Sequence, residues 1–394
     1  MAVTLETMNK INLHIYQSNF TNESRILRET KALADSGIAQ ECVIVAVWEE
    51  GLSVNERIDD KRRVWRVSTV FKKNPRKTVL RLVMLSQWWL KIILAFGPSN
   101  VEMVNCHSLA SLPAGVFFKI SKGCRLVYDS HELETETASS KGIRRFLAKI
   151  AERILINKID FMIVVCESAA DWYKKEYGLP VDKIMVIRNM PQHVGGQVCA
   201  TGKNESPLRQ KMNLSAESIL FIYQGILGEG RGVELALDVF SKAGGNKHIV
   251  FMGHGSLEDM IKQYAEKYPT IHFQPSVPSG QVLEYTCGAD IGLSLIEPSC
   301  LNAKFALPNK IFEYIWAEIP VIVSDFPEMA RIVDQCHCGW KIEPSADNLA
   351  RLVRDIDRDS IVERKNNAAK YKTLFDWKNE EKKLVAGYRR VFGQ

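Results

Sequence analysis

The amino-acid sequence predicts an α/β protein of two doubly wound parallel-sheet domains in tandem, and three observations carry that reading. Short apolar runs alternate with longer helical patterns from end to end. The runs are continuously apolar rather than alternating, as expected of strands covered on both faces. The rhythm breaks once, at "MPQHVGGQVCATGKNESP" (190–207), which contains Gly, Pro and Ser but no apolar run and reads as a linker.

In the first half the expected strands are "INLHIYQ" (11–17), "ECVIVAVW" (41–48), "VEMVNCH" (101–107), "CRLVYDS" (124–130), "FMIVVCES" (161–168) and "KIMVIRN" (183–189). A helix between the first two, "ESRILRETKALADSG" (23–37), stops on Gly37. In the second half they are "SILFIYQG" (218–225), "KHIVFMG" (247–253), "TIHFQP" (270–275), "ADIGLSLI" (289–296), "IPVIVSD" (319–325) and "GWKIEP" (339–344). A chain of 394 residues is longer than one core fills, which also argues for two domains. The expected boundaries are 1–192, a linker at 193–207, 208–374, and a last segment at 375–394. In such domains ligands bind at the carboxyl ends of the strands, and two facing domains make a cleft.

Composition narrows the class. With 46% hydrophobic and 25% charged residues, and charges or Gly/Pro interrupting the apolar runs, no membrane-spanning segment is expected. The start, "MAVTLETMNKINLHIYQ", lacks the basic region and long apolar core of a signal peptide, so a cytoplasmic location is expected. Nine scattered cysteines fit reduced thiols, and "CHCGW" (336–340) offers no second ligand pair for zinc. The net charge of +6 is modest, but its cations concentrate at 61–91 and 141–158. "KKNPRKTVLRLVMLSQWWLKIILAF" (72–96) and "KGIRRFLAKIAERILINK" (141–158) interleave Lys/Arg with apolar residues at helical spacing, as do helices that lie on anionic membrane surfaces. Solvated basic faces of ordinary domain helices are the competing reading. The second half has no basic stripe with interleaved aromatics, so nucleic acid is not an expected partner.

Chemistry concentrates at strand ends. "ILFIYQGILGEGRGVELALDVF" (219–240) is a strand, a Gly-rich turn and a helix. Gly225, Gly228, Gly230 and Gly232 let the backbone approach a ligand, the helix N-terminus favours an anion, and Arg231 adds a cationic fork; together they suit a diphosphate. "FMGHGS" (251–256) repeats the idea with Gly253 and Gly255. In "LPNKIFEYIWAEIPVIVSD" (307–325), Pro308 and Asn309 suit a helix start, and Lys310 and Glu313 share a face with Ala317, while Ile311, Phe312, Ile315 and Trp316 point to the core. Such a pair can serve phosphate and hydroxyls, or be a surface salt bridge. In the first half, "VYDSHEL" (127–133) sets Asp129, His131 and Glu132 just beyond a strand, and "VNCHSL" (104–109) does the same with His107.

These motifs, in this order over nearly the whole chain, resemble the glycosyltransferases of the GT-B fold, family 4, mostly retaining enzymes that use nucleotide-activated sugars. "ESRILRETKALADSG" is similar to the first helix of bacterial members, "LVYDSHEL" to the first-domain histidine loop, "LPNKIFEYIWAEIPVIVSDFPE" to the signature helix and strand, and "FDWKNEEKKLVAGYRRVF" to a C-terminal helix that returns to the first of two Rossmann-like domains. The resemblance implies that Glu313 binds the donor ribose, that Arg231 neutralises the leaving diphosphate, and that His131 faces the transferred sugar. It implies that the backbone of "LNAKFALPNK", with Asn302, Pro308 and Asn309, lies against the sugar and diphosphate.

Three positions depart from the family pattern. Phe305 stands where a first glutamate would fall, Ile226 replaces a basic residue, and Glu318 replaces a helix-ending glycine. Lys310 is expected to supply the cation lost at Ile226. The implied activity is metal-independent transfer of a hexose from a UDP- or GDP-sugar to a saccharide, with a polyprenyl-linked acceptor at the inner membrane face as the expected form, in O-antigen or capsule assembly. The nucleotide sugar is a substrate and no cofactor is expected. "DID" (355–357) superficially resembles a metal-binding Asp-x-Asp, but it falls within a charged helix. A sugar-nucleotide epimerase of the same fold, with Asp129 and Glu132 as its carboxylates, and a non-catalytic sugar-nucleotide binder are the rival classes.

Overall fold

The computed structural model describes residues 10–21, 23–70, 78–192, 206–215 and 217–393. The start of the chain, the basic run 72–77 and the expected linker up to residue 205 lie outside the described residues. The chain forms two compact units, Met1–Arg188 with Glu380–Gln394, and Asn189–Asn379.

Unit 1 runs β1 (Ile11–Ile15), α1 (Ser24–Asp35), β2 (Glu41–Val47), β3 (Asn55–Arg57), β4 (Arg62–Val67), α2 (Thr78–Phe96), β5 (Val101–Cys106), α3 (Leu112–Lys122), β6 (Arg125–Ser130), α4 (Gly142–Ile156), β7 (Phe161–Val164), α5 (Glu167–Tyr177) and β8 (Ile184–Val186). Its sheet has the order β3-β4-β2-β1-β5-β6-β7-β8, parallel except for β3 against β4. Strand order reverses between β1 and β5, the position where doubly wound sheets open a crevice.

The hairpin β3–β4 was not expected, because "RRVWRV" alternates arginine with apolar residues instead of running continuously apolar. Its arginines turn inward. Arg62 donates to the Leu27 carbonyl (2.7 Å), and Arg66 donates to the carbonyls of Asn19 (2.8 Å) and Ser53 (2.9 Å). Part of the positive charge at 61–91 is therefore structural. Cys287 is disulfide-bonded, against the expectation of reduced thiols throughout, while Cys336 and Cys338 are buried free thiols.

Helices α2, α3 and α4 carry an unusual distribution of apolar groups. α2 has one stretch, Val79–Phe96, long and apolar enough by length and composition to cross a membrane, although its Met84, Trp88, Ile92 and Phe96 are buried in unit 1. Both tryptophans of the expected amphipathic helix face inward: Trp88 is buried, and Trp89 donates to the Ala110 carbonyl (2.8 Å). α4 is turned inside out. Its inner face holds the buried Glu152 carboxylate, which accepts from the hydroxyls of Tyr177 (2.6 Å), Tyr173 (3.0 Å) and Tyr128 (3.2 Å), whereas Ile143, Phe146, Leu147, Ile150 and Ile154 are exposed. With Thr135 Oγ1 at 3.4 Å, four hydroxyls donate to this carboxylate; burial raises it above its ordinary range and these hydrogen bonds pull the other way.

Unit 2 runs α6 (Pro207–Met212), β9 (Ile219–Ile226), α7 (Val233–Lys242), β10 (Lys247–His254), α8 (Glu258–Lys267), β11 (Ile271–Pro275), α9 (Val282–Thr286), β12 (Ile291–Ser294), α10 (Leu301–Lys304), α11 (Asn309–Trp316), β13 (Val321–Ser324), α12 (Pro327–Cys336), β14 (Gly339–Ile342), α13 (Ala346–Asp355) and α14 (Arg358–Tyr371). α15 (Trp377–Phe392) follows, and from Glu380 onward it belongs to unit 1. The sheet order is β11-β10-β9-β12-β13-β14, parallel throughout, with its reversal between β9 and β12.

Both faces of this sheet are covered. Leu220 and Ile222 of β9 join one core with Ile311, Phe312, Tyr314 and Ile315 of α11, while Phe221 and Tyr223 join the opposite core with Val233 and Phe240 of α7. The expected core face of α11 needs one correction. Trp316 is only partly buried and donates its indole N–H to the Phe375 carbonyl (2.7 Å), and Tyr314 takes its place inside. Glu318 does adopt the left-handed conformation that its family position implied (φ 55°), at a cost of roughly 1 kcal/mol, and pairs with Lys372 (2.7 Å). Asp355 and Asp357 do not share one helix. Asp355 ends α13, and Asp357 caps α14 by accepting from the Ser360 N–H (2.8 Å).

Candidate functional site

Each sheet places one group of reactive side chains at its reversal point. In unit 2, β9 and β12 pair over only Phe221–Ile291 and Ile222–Gly292 and then diverge. Tyr314 fills the split. Its hydroxyl donates to the carbonyls of Leu293 (3.1 Å) and Ile222 (3.3 Å) and accepts from the Gln224 N–H (3.1 Å), so α11 is pegged into the sheet by three backbone groups. Gly292 permits the approach, since a Cβ there would lie 2.3 Å from the Tyr314 ring.

That peg sets the neighbouring charges. Glu313 accepts from the Gln224 side-chain amide (2.5 Å), and among the described residues its second oxygen has no protein partner. Burial raises its carboxyl above the usual range, with Gln224 and Lys310 pulling the other way. Lys310 lies over the Tyr223 ring, with Nζ 3.6 Å from the centroid, and runs past Gly225, whose missing Cβ would be 3.7 Å from Lys310 Cε. Burial first, then the nearby Arg231 charge, depress its ammonium to about 7 against a partial pull from Glu313. Lys310 and Glu313 do not pair with each other, so the alternative of a surface salt bridge fails. Lys310, Arg231, Gly225 and Glu313 are thus one cluster, beside the turn into α7.

The glycines divide by role. Gly230 has open space around it at φ 70°, and Gly228 only van der Waals neighbours. A Cβ on Gly253 would meet the Gly225 carbonyl oxygen at 1.8 Å, and one on Gly255 the Leu227 carbonyl oxygen at 2.2 Å. Close backbone packing alone therefore requires these two. Pro308 is the cap residue of α11 and Asn309 its first residue, while Asn302 sits in the single turn of α10 and Phe305 ends that turn. Ile226, at the position of the absent cation, is half exposed.

In unit 1, His131 follows β6 and His107 follows β5. Asp129 lies between them: its Oδ2 accepts from His107 Nδ1 (2.8 Å) and His131 Nε2 (3.0 Å), and its Oδ1 from Arg25 Nη2 (2.9 Å). Burial opposes the charge on Asp129, yet Arg25 and the two histidines hold its carboxyl well below the ordinary range. His107 is pushed down to about 4, chiefly by burial. Among the described residues, His107, Asp129 and His131 are the one set of groups near enough together to hold a metal ion. Arg25 clamps the same carboxylate, so a cation there would face a guanidinium. Glu134 accepts from the Leu109 N–H (2.5 Å) and is raised by burial to about 8, and Tyr16 packs on His131 with centroids 5.3 Å apart. Glu132 is exposed.

Comparison with known proteins places this geometry. The family described as "Glycosyltransferase Family 4" matches residues 23–190, and "Glycosyl transferases group 1" matches residues 204–374. The chain belongs to the family 4 glycosyltransferases. Sucrose-phosphate synthase from Thermosynechococcus elongatus shares the transferase's fold with a TM-score of 0.79 at 13% identity, over 98% of this chain and 100% of that one. HepE from Anabaena, solved in complex with UDP, gives 0.70 at 12% identity, over 96% and 99%. WaaG, a glycosyltransferase involved in lipopolysaccharide biosynthesis, gives 0.67 at 14% identity, over 98% and 100%. The fold is GT-B, with two Rossmann-like domains. No curated protein matches the transferase in sequence.

Several side chains of this glycosyltransferase were missed in the sequence. Gln224 and Tyr223 were read only as part of a strand, and Tyr314 as one aromatic among several. Arg25 carried a usable signal, a charge on the apolar face of α1. It is buried with Glu29 (3.0 Å) and donates to the Ile187 carbonyl (2.8 Å).

Proposed function

We propose that the enzyme transfers a hexose-type sugar from a UDP- or GDP-sugar to a saccharide acceptor, with retention of anomeric configuration and without a metal ion. The observation that carries this reading is the cluster at the split of β9 and β12. A part-buried carboxylate with a free oxygen, Glu313, suits ribose hydroxyls, and two cations beside a glycine turn, Lys310 and Arg231, suit a diphosphate. Breaking the bond from sugar to diphosphate puts negative charge on the leaving group, where fixed cations and the α7 N-terminus stabilise it most. HepE, solved with UDP-glucose, supports a uridine donor. In unit 1, His131 has the role of facing the transferred sugar. A thermal-stability screen of nucleotide sugars, followed by product analysis with and without acceptor, tests the reading. Stabilisation by a UDP- or GDP-sugar and a glycosylated product are expected. An altered sugar from donor alone would mean an epimerase, and stabilisation without turnover a binding protein; either result overturns the proposal.

The acceptor is lipid-linked and presented at the cytoplasmic face of a membrane, in O-antigen or capsule assembly. The support is the exposed apolar face of α2, α3 and α4, represented by Leu82, Ile120, Phe146 and Ile150. These helices carry eight basic residues, two each on α2 and α3 and four on α4, against one acid, the buried Glu152. Lys119, Arg145, Lys149 and Arg153 pair with Asp160, Glu136 and Glu176 on neighbouring segments, so the exposed apolar groups carry the match to a bilayer and the remaining cations its preference for anionic lipid. The protein is expected to sediment with phosphatidylglycerol vesicles at low salt and not with phosphatidylcholine vesicles. The pair Phe146→Glu and Ile150→Glu should abolish sedimentation while leaving stabilisation by nucleotide sugar unchanged. Sedimentation that survives both substitutions would refute this docking face.

A further inference from the structure

The hydrogen bonds behind His131 form a continuous chain through unit 1, and each proton position in it can be worked out. Asp129 is ionised and can only accept, so the protons between it and the two imidazoles sit on His107 Nδ1 and His131 Nε2. A neutral imidazole carries one N–H. His107 is buried and neutral, so its Nε2 is a bare acceptor and His14 Nδ1, 2.9 Å away, must donate to it. His14, also buried and neutral, then has a bare Nε2, which faces the Asn105 amide at 3.4 Å. That amide also donates to Asn12 Oδ1 (2.6 Å), and Asn105 Oδ1 accepts from the Tyr388 hydroxyl on α15 (2.5 Å). The protons all point from Tyr388 toward Asp129. Arg25 closes the chain by holding the far carboxylate oxygen.

We infer that the relay Tyr388–Asn105–His14–His107–Asp129 holds a proton on His131 Nε2, so that the uncharged imidazole is the Nε2–H tautomer with Nδ1 as an acceptor. In that form His131 receives a hydrogen bond from a hydroxyl and does not donate one to a phosphate or carboxylate oxygen. The ligand group that such an acceptor takes is an alcohol function. Asp129 and the histidines behind it are positioning residues that act through His131. The choice of ligand group rests on the transfer reaction proposed above, but the tautomer does not.

Long-range proton–nitrogen correlation on the full chain labelled with nitrogen-15 histidine, at pH 8 without substrate, reads the tautomers directly. His131→Gln identifies the His131 signal by its loss. The expected result is Nε2–H for His131 and Nδ1–H for His107 and His14. Asp129→Asn, whose amide can donate, should mix the His131 tautomers and lower kcat by roughly 10- to 100-fold while leaving the donor KM nearly unchanged. An Nδ1–H tautomer for His131 in the native protein would overturn the inference. So would an Asp129→Asn protein with native spectrum and kcat, or a divalent metal bound stoichiometrically in the purified protein and lost in that variant. Because the native spectrum needs neither variant nor substrate, a failed transfer assay leaves this test intact.

Discussion

Glu313→Ala is expected to weaken binding of the nucleotide-sugar donor by roughly 150-fold and to reduce transfer to background. Glu313 is part-buried, bonded on one side to Gln224, and free on the other to accept hydroxyls. Charge-assisted hydrogen bonds of this kind contribute about 3 kcal/mol, and the loss appears in binding at tenfold per 1.4 kcal/mol. Glu313→Gln keeps the shape and one acceptor but loses the charge, so its affinity should fall between native and Ala. Calorimetric titration with UDP and GDP ranks the three proteins. A Glu313→Ala protein that binds donor within threefold of native would mean that the carboxylate only anchors Gln224.

Donor binding should take up close to one proton at pH 8, and Lys310→Ala should remove that uptake while weakening binding by roughly 30-fold. The sign follows from where the amine titrates. In the free protein Lys310 loses its proton near pH 7, against about 10.4 for an exposed lysine, because burial and Arg231 disfavour the charge. A diphosphate beside it restores the charged form, so the bound state holds more protons than the free state. Affinity should then be greatest below pH 7 and fall up to tenfold per pH unit above it, until the bound amine also titrates. Working at pH 8 keeps the ligand's own phosphate titration out of range. Titrations in buffers of different ionisation enthalpy measure the uptake. Equal heats in all buffers would rule out Lys310 as the cation that stands in for the one absent at Ile226. The same depression gives a separate stability effect. Between pH 10 and 7 the unfolded chain binds a proton that native Lys310 refuses, so the ligand-free fold loses stability across that window as pH falls.

Much of the architecture could be read from strands such as "ILFIYQ" and "FMIV", because burial on both faces leaves no polar periodicity to confuse the pattern. Reading failed where arginine does structural work. β4 was not read as a strand because arginines interrupt it, yet Arg62 and Arg66 bond carbonyls inside unit 1. The segment with Trp88 and Trp89 stayed open between a membrane-surface helix and an ordinary domain helix, because adjacency in sequence does not say which way a ring turns on its helix. At the candidate sites, charged residues with motif neighbours, such as Lys310 and His131, were accessible to inspection. Gln224 and His14 were not, since each works through a partner about ninety residues away and no local pattern marks such a pairing.

Tyr314 ties that long-range dependence to a single hydroxyl. Because it bonds backbone groups of two diverging strands, α11 cannot slip along its axis without breaking all three contacts. The spacing from Glu313 to the glycine turn is thereby a property of the sheet and not of side-chain packing. On the proposed reading, donor preference in this scaffold can drift through the loops after β9 and β12 while the ruler that would measure ribose against diphosphate keeps its length.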